Sequence, residues 1–197
     1  LLIGDFAAGW QKYEWRWATE SQKRQRRQFA QPLWRGEPLA GRSILVHAEQ
    51  GFGDTLQFVR YLPKLAALGA KVILEVRPGL YPLLSAVQGA SQVVVQGVLP
   101  PFDLHCPIMS LPLAFKTTLD TIPATVPYLT APEGSLAKWR ERLPRSKPRI
   151  ALAWAGSATH KRDRARSIPL AKLRILLRGN DAVEWHSVQR ELRKGDA

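Results

Sequence analysis

The sequence predicts an α/β fold built on a doubly wound, Rossmann-like parallel sheet, and three observations carry that expectation. Short apolar, β-rich runs recur at 44–47, 72–76, 93–95 and 102–105. Stretches with helical spacing separate them, so strands alternate with helices and must pair in parallel through crossovers. After a Pro-rich interval the alternation restarts near residue 149, which predicts a second, incomplete α/β domain. Both faces of such a sheet are expected to lie under helices.

Each element has a local cause. Phe6, Trp10, Tyr13 and Trp17 recur at offsets of four, three and four, the spacing of one apolar helix face. The polar, basic run Gln22–Gln28 either continues that helix with a solvated face or ends it. Pro32 and Pro38 disfavour helix in the residues before them, so 31–42 reads as an extended linker. Ile44–His47 is a first strand, followed by a turn through Gly51-Phe52-Gly53. Asp54 or Thr55 is expected to cap the next helix, whose inner side carries Leu56, Val59, Leu62 and Leu65. Pro63 should kink it, because it cannot donate to the Val59 carbonyl, and Gly69 should end it.

Val72–Val76 reads as the second strand, and Pro78 opens a helix expected to run to about Val87. Val93–Val95 and Phe102–His105 are further strands. Pro107–Pro132 shows no sustained period and reads as loops over the carboxyl ends of the strands. Ser135–Leu143 is an expected helix with Trp139 and Leu143 facing inward. Ile150–Ala155 is an expected buried strand, followed by a helix near 169–178 and a strand near Glu184–Val188.

Composition narrows the function classes. The net charge of +13 is uneven: +4 over 1–43, −1 over 44–133 and +10 over 134–197. A uniform polycationic coat is excluded, and the bases lack the aromatic interleaving and motifs of a nucleic-acid binder. The single Cys106 excludes an intrachain disulfide and a Cys-based zinc cluster, and reads as a buried structural thiol. No apolar run approaches the ~18 residues of a membrane span. A cytoplasmic setting fits these features. The chain begins without Met and inside an apparent helix, so it reads as a fragment, and the polar end Arg190–Ala197 reads as frayed or non-native.

Two loops are able to carry chemistry. The first is His47-Ala48-Glu49-Gln50-Gly51-Phe52-Gly53-Asp54-Thr55, between a strand and a helix, where open α/β sheets bind ligands. It lacks the third glycine of a dinucleotide fingerprint and the Lys-Ser/Thr pair of a P-loop. Asp54 has two readings, helix cap and general base. His47 reads as a core histidine or a site residue, and Glu49 and Gln50 as site residues or exposed turn residues. The second loop, Gly156–Ser167, offers Gly156, Ser157, Thr159, His160, Lys161, Arg166 and Ser167. Hydroxyls, backbone donors and cations there suit a phosphate or diphosphate, and equally a solvated basic loop or a nucleic-acid backbone contact.

The motifs Gly4-Asp5-Phe6, Gly9-Trp10 and Tyr13-Glu14-Trp15-Arg16 resemble the closing helix of a tetratricopeptide array in a group of bacterial proteins. Trp34–Leu39, the block His47–Tyr61, Phe102–Pro107 and Arg166–Leu170 look like the linker and glycosyltransferase-like module of that group. The module is of the GT-B type, related to lipopolysaccharide heptosyltransferases and more distantly to O-linked N-acetylglucosamine transferases.

The resemblance implies a terminal repeat helix at 1–30, a linker at 31–42, an acceptor-side Rossmann-like domain at 43–133 and the start of a donor-side domain at 134–197. It implies metal-independent sugar transfer from a nucleotide-diphosphate sugar, with no resident cofactor, to a protein, peptide or glycan acceptor. Asp54 would be the base, with His47, Glu49, Gln50, Gly51, Gly53 and Thr55 on the acceptor side. The loop at Ser157–Lys161 would meet the donor diphosphate, with Lys161 on the leaving charge. Protein partners would reach the repeat region, and this piece alone would have little activity. A catalytically silent interaction scaffold is the alternative.

Overall fold

The structure is a computed structural model that describes residues 1–143, 147–159, 162–179, 181–194 and 196, the side chain of Ser21 excepted. The chain divides into two compact units, Leu1–Ser135 and Leu136–Ala197.

Four parallel strands form the first unit: β1 (Ser43–His47), β2 (Lys71–Val76), β3 (Gln92–Val95) and β4 (Leu104–Pro107). Their order is β3-β2-β1-β4, with Leu45 in register with both Ile73 and His105. The chain winds outward from β1 through β2 to β3 and then returns to the other side of β1. That reversal makes a Rossmann-like switch point between β1 and β4. The linker residues 32–34 lie along the outer edge of β4: Trp34 N–H donates to the His105 carbonyl at 2.8 Å, and His105 N–H to the Pro32 carbonyl at 3.1 Å.

Helices follow where the apolar spacing puts them, in shorter pieces. The aromatic N-terminal stripe forms α1 (Phe6–Tyr13), then a 3₁₀ segment (Glu14–Ala18) and the short α2 (Glu20–Lys23), which ends inside the basic run. The segment after β1 is broken as Pro63 requires, into α3 (Phe52–Phe58), a 3₁₀ turn (Val59–Tyr61) and α4 (Leu62–Ala67) with Pro63 as its second residue. Gly69 closes α4 at φ +79°, a conformation that costs glycine little. The helix expected from Pro78 to Val87 is instead a 3₁₀ turn and α5 (Tyr81–Leu84). A 3₁₀ turn (Ile108–Ser110) and α6 (Leu111–Ala114) follow β4.

Strand alternation divides the sheet into unlike faces. Ile44, Val46, Val72, Leu74, Val76, Leu104 and Cys106 point to one side and pack with Val59, Leu62, Leu65 and Leu84 in the main core. The opposite side carries His47, Glu75 and His105, and here the expectation of helices on both faces needs correcting. Phe29 lies over His47 and His105, with ring centroids 5.4 and 4.7 Å apart, and Arg27 pairs with Glu75. An extended arm covers this face, because its polar residues need partners that an apolar helix face does not supply.

The helix α7 (Glu133–Arg142) carries the boundary between the units. The second unit holds β5 (Arg149–Leu152), α8 (Asp163–Arg166), α9 (Leu170–Leu177) and β6 (Glu184–Ser187), with the two strands parallel. Three expectations fail here. Trp139 is 53% exposed rather than inward-facing, and Ile150 in the expected buried strand is 37% exposed. The strand itself stops at Leu152, although Trp154 beyond it is buried. A two-stranded sheet is too small to bury apolar residues on both faces, so positions that read as core stay uncovered.

Candidate functional site

The loop after β1 lies at the switch point, beside the 3₁₀ turn after β4. Its helix begins one turn earlier than the sequence suggested. Gly51 is the N-cap of α3 and Asp54 its third residue, so neither Asp54 nor Thr55 is the cap itself. The Asp54 carboxylate reaches back instead: Gly51 N–H donates to Asp54 Oδ2 at 2.8 Å, the acidic half of a capping box. A Cβ at Gly51 would stand 3.0 Å from that same oxygen, so the small residue lets the carboxylate close. Thr55 is buried and donates weakly to the Gly51 carbonyl at 3.4 Å. Asp54 is half-buried, and its Oδ1 makes no hydrogen bond with the described residues. One oxygen is therefore fixed to the first turn of the helix and the other is free.

Around it the backbone is unusual. Gln50 adopts φ +58°, uncommon for a residue with a side chain and a recurrent feature of functional loops. Gly53 is exposed, and a Cβ added there would meet nothing, so its backbone stands open.

His47 is elsewhere. It is 4% exposed beneath Phe29, with Nε2 at 3.3 Å from His105 Nδ1. Burial, reinforced by His105, Arg27 and Arg16, draws its pKa down to about 3, so the ring is neutral. This is the core-histidine reading, and it takes His47 out of the loop's exposed surface.

Glu49 and its partners correct the exposed-turn reading. The carboxylate is buried and held from three directions: Arg16 Nε to Oε2 at 3.0 Å, Arg16 Nη2 to Oε1 at 2.9 Å, and Met109 N–H to Oε1 at 3.0 Å. Arg16 also donates to Glu14 at 2.6 Å and to Ser110 Oγ at 2.7 Å, while Ser110 donates to Glu14. Burial opposes the Arg16 charge, yet its hydrogen bonds to Glu49 and Glu14 outweigh that and raise its pKa. The guanidinium rests against Tyr13 and Trp17, at 5.0 and 4.7 Å from the ring centroids. Burial also pushes the Tyr13 phenol up, and Gln50, Glu49 and Asp54 all act on it.

The N-terminal helix and its 3₁₀ extension thus deliver Tyr13, Glu14 and Arg16 to the switch point. None of the three was singled out from sequence as a site residue. The available signal was Arg16 itself, a cation three residues after Tyr13 and so within reach of its ring.

In the second unit His160 and Lys161 lie outside the described residues. Of the rest, Gly156 N–H donates to Ser167 Oγ at 3.3 Å, and Ser167 donates to Asp163 at 2.7 Å. The Arg166 guanidinium lies against Gly156, while Ser157 and Thr159 face one another at 2.8 Å on the surface. Two residues missed from sequence organise this loop. Gln189 Oε1 accepts from Trp154 N–H and Ala155 N–H, both at 3.1 Å. Arg193 donates to Asp163 at 2.7 Å and to the Gly156 carbonyl at 3.1 Å. Hydrogen bonds from Arg193 and Ser167 hold the Asp163 carboxyl below its ordinary range. Among the described residues after Arg190, Arg193 and Asp196 are tied down rather than frayed: Asp196 accepts from Trp154 Nε1 and from Arg193 N–H, each at 3.0 Å. The Gly156 N–H, in the loop expected to cradle phosphate, is thus already occupied by a side chain of this chain, as are the N–H groups of Trp154 and Ala155 just before it.

No helix among the described residues is long and apolar enough to cross a membrane, and they contain no cluster of three or more His, Cys, Asp or Glu able to hold a metal. No family model matches the chain, and no solved structure matches it. It is similar to the protein FlbA of Caulobacter vibrioides, with 25% identity over 175 residues, covering 78% of this chain. The chain spans 29% of the length of FlbA.

Proposed function

We propose that the chain is the glycosyltransferase-like part of a tetratricopeptide-linked GT-B protein that moves a sugar from a nucleotide donor to an acceptor hydroxyl without a metal. The observation that supports this most is Asp54, anchored through Oδ2 at the switch point of a parallel sheet with Oδ1 unoccupied. In this reading Oδ1 takes the acceptor proton, the acceptor oxygen bonds to the anomeric carbon, and the bond to the diphosphate breaks. Glu49, Gln50, Gly51, Gly53 and Thr55 shape the acceptor side, and His47 supports them from beneath. Gly156, Ser157, Thr159, His160, Lys161, Arg166 and Ser167 meet the diphosphate, once it displaces Gln189 and Ser167 from the backbone donors. The acceptor is a protein, peptide or glycan in the cytoplasm.

The test uses the full-length protein, titrated with a panel of nucleotide sugars and then assayed by mass spectrometry of the glycosylated acceptor. Asp54→Asn keeps an acceptor for Gly51 N–H, so it should bind donor normally and lose transfer by about 10²-fold or more. Equal transfer by the variant would return Asp54 to capping alone.

A second reading is a tetratricopeptide-linked scaffold without catalysis. It is favoured by the filled backbone donors at 154–156, and absence of binding by every nucleotide sugar tried would select it. Nucleic-acid binding ranks last.

A further inference from the structure

A second concavity in the first unit is separate from the Asp54 loop. It is a cavity of about 710 Å³ between α1, the linker and the residues after α6, a size usual for a small-molecule site. Trp10, Trp17 and the buried Trp34 line it. Trp10 Nε1 already donates to the Thr117 carbonyl at 3.0 Å and Trp34 Nε1 to the Glu37 carbonyl at 2.8 Å. Those two indoles therefore offer the cavity apolar ring surface and no unsatisfied donor.

Its rim has the opposite character. Arg26, Arg35 and Lys116 line the same cavity, are exposed, and form no ion pair with the described residues. The acid lining the cavity, Glu14, is committed to Arg16 and Ser110, and the nearby Glu37 is turned to the Arg35 N–H. Two backbone features hold the walls. Lys116 adopts φ +50°, and Gly36, at φ +113°, lies so near the Ala114 carbonyl that a Cβ would approach it to 2.7 Å. Aromatic walls and unpaired cations together describe a binding site rather than a packing gap.

From this geometry we infer that the cavity binds an aromatic or ring-bearing acid, its ring against Trp10 and Trp17 and its carboxylate toward Arg35 and Lys116. Neither the sugar-transfer reading nor Asp54 is needed for it.

Isothermal titration of the protein with indole-3-acetate, its uncharged amide and plain acetate tests this directly. The acid should bind at sub-millimolar concentration, the amide at least about tenfold more weakly and acetate undetectably. Arg35→Gln with Lys116→Gln should weaken the acid about tenfold, and Ala7→Trp, which fills the cavity from α1, should abolish binding with circular dichroism unchanged. Equal affinity for acid and amide, an unaffected double variant, or no binding of the acid would each overturn the inference.

Discussion

Arg16 and Glu49, 33 residues apart in the chain, meet as a parallel two-bond pair with side chains 7% and 5% exposed. The pair joins the end of the aromatic N-terminal helix to the loop that carries Asp54. Removing one partner would strand the other charge in a nearly dry site. Arg16→Ala should therefore destabilise the protein by about 3–5 kcal/mol, read by urea denaturation. Exchanging both residues for methionine should recover much of that loss, because a buried ion pair contributes little net stability over packed apolar groups. An Arg16→Ala protein as stable as the parent would show that the pair is incidental.

The fold should tolerate loss of the Asp54 charge better than loss of its acceptor. Asp54→Asn should change stability by less than about 1 kcal/mol, and Asp54→Ala should cost about 1 kcal/mol as the Gly51 N–H loses its partner. Thermal denaturation of the two variants separates capping from chemistry. If both lose equal stability, the capping geometry does not operate.

His47 predicts an acid sensitivity with a defined window. Its folded pKa of about 3 lies below the ordinary 6.5, so above pH 6.5 folded and unfolded chains bind the same number of protons at this site. As pH falls below that, the unfolded chain takes up a proton that the folded one refuses. Stability should fall by about 1.4 kcal/mol per pH unit from this residue, chiefly between pH 6 and 4. His105 shifts in the same direction and adds to the effect. Denaturation at pH 7 and pH 5 should show the drop, and His47→Gln should reduce it. An unchanged slope in the variant would assign the acid loss to other groups.

On the arm-covered face, Glu75 is fully buried, and Arg27 is its charged partner. Arg27→Ala should cost about 3 kcal/mol, at the low end for a broken buried pair, because Arg27 is itself a third exposed. Arg27→Ala with Glu75→Gln should be milder than Arg27→Ala alone. A harmless Arg27→Ala would mean that water reaches Glu75.

In the second unit, Gln189→Ala frees the N–H groups of Trp154 and Ala155. Hydrogen exchange there should accelerate by about fivefold, the equivalent of one lost hydrogen bond near 1 kcal/mol. Unchanged protection would mean that the side chain does not hold the loop.

The parallel strands were legible because short apolar runs, three to five residues long and separated by helical spacing, have few other readings. Pro63 announced its break for a purely local reason, the missing N–H. The site was less legible. Asp54 and its loop stood out by position, but Glu49 looked like a turn residue because Arg16 and Met109, which bury it, are distant in sequence. His47 was ambiguous for a similar reason: what decides it is Phe29, from a segment without periodicity. Trp139 and Ile150 misled in the opposite sense, since apolar character states what a side chain would bury and not whether a neighbour exists to bury it.

The pairing of the linker along β4 gives the sheet an asymmetry of growth. A strand arriving at that side would have to expel residues 32–34 and with them Trp34, which is only 2% exposed. At the other side, β3 has no neighbour beyond it among the described residues and offers four residues of unpaired backbone. In this four-stranded sheet, strand addition by a second copy, during folding or at high concentration, is thereby confined to Gln92–Val95. A single proline or lysine in that segment is enough to suppress it without touching the switch point.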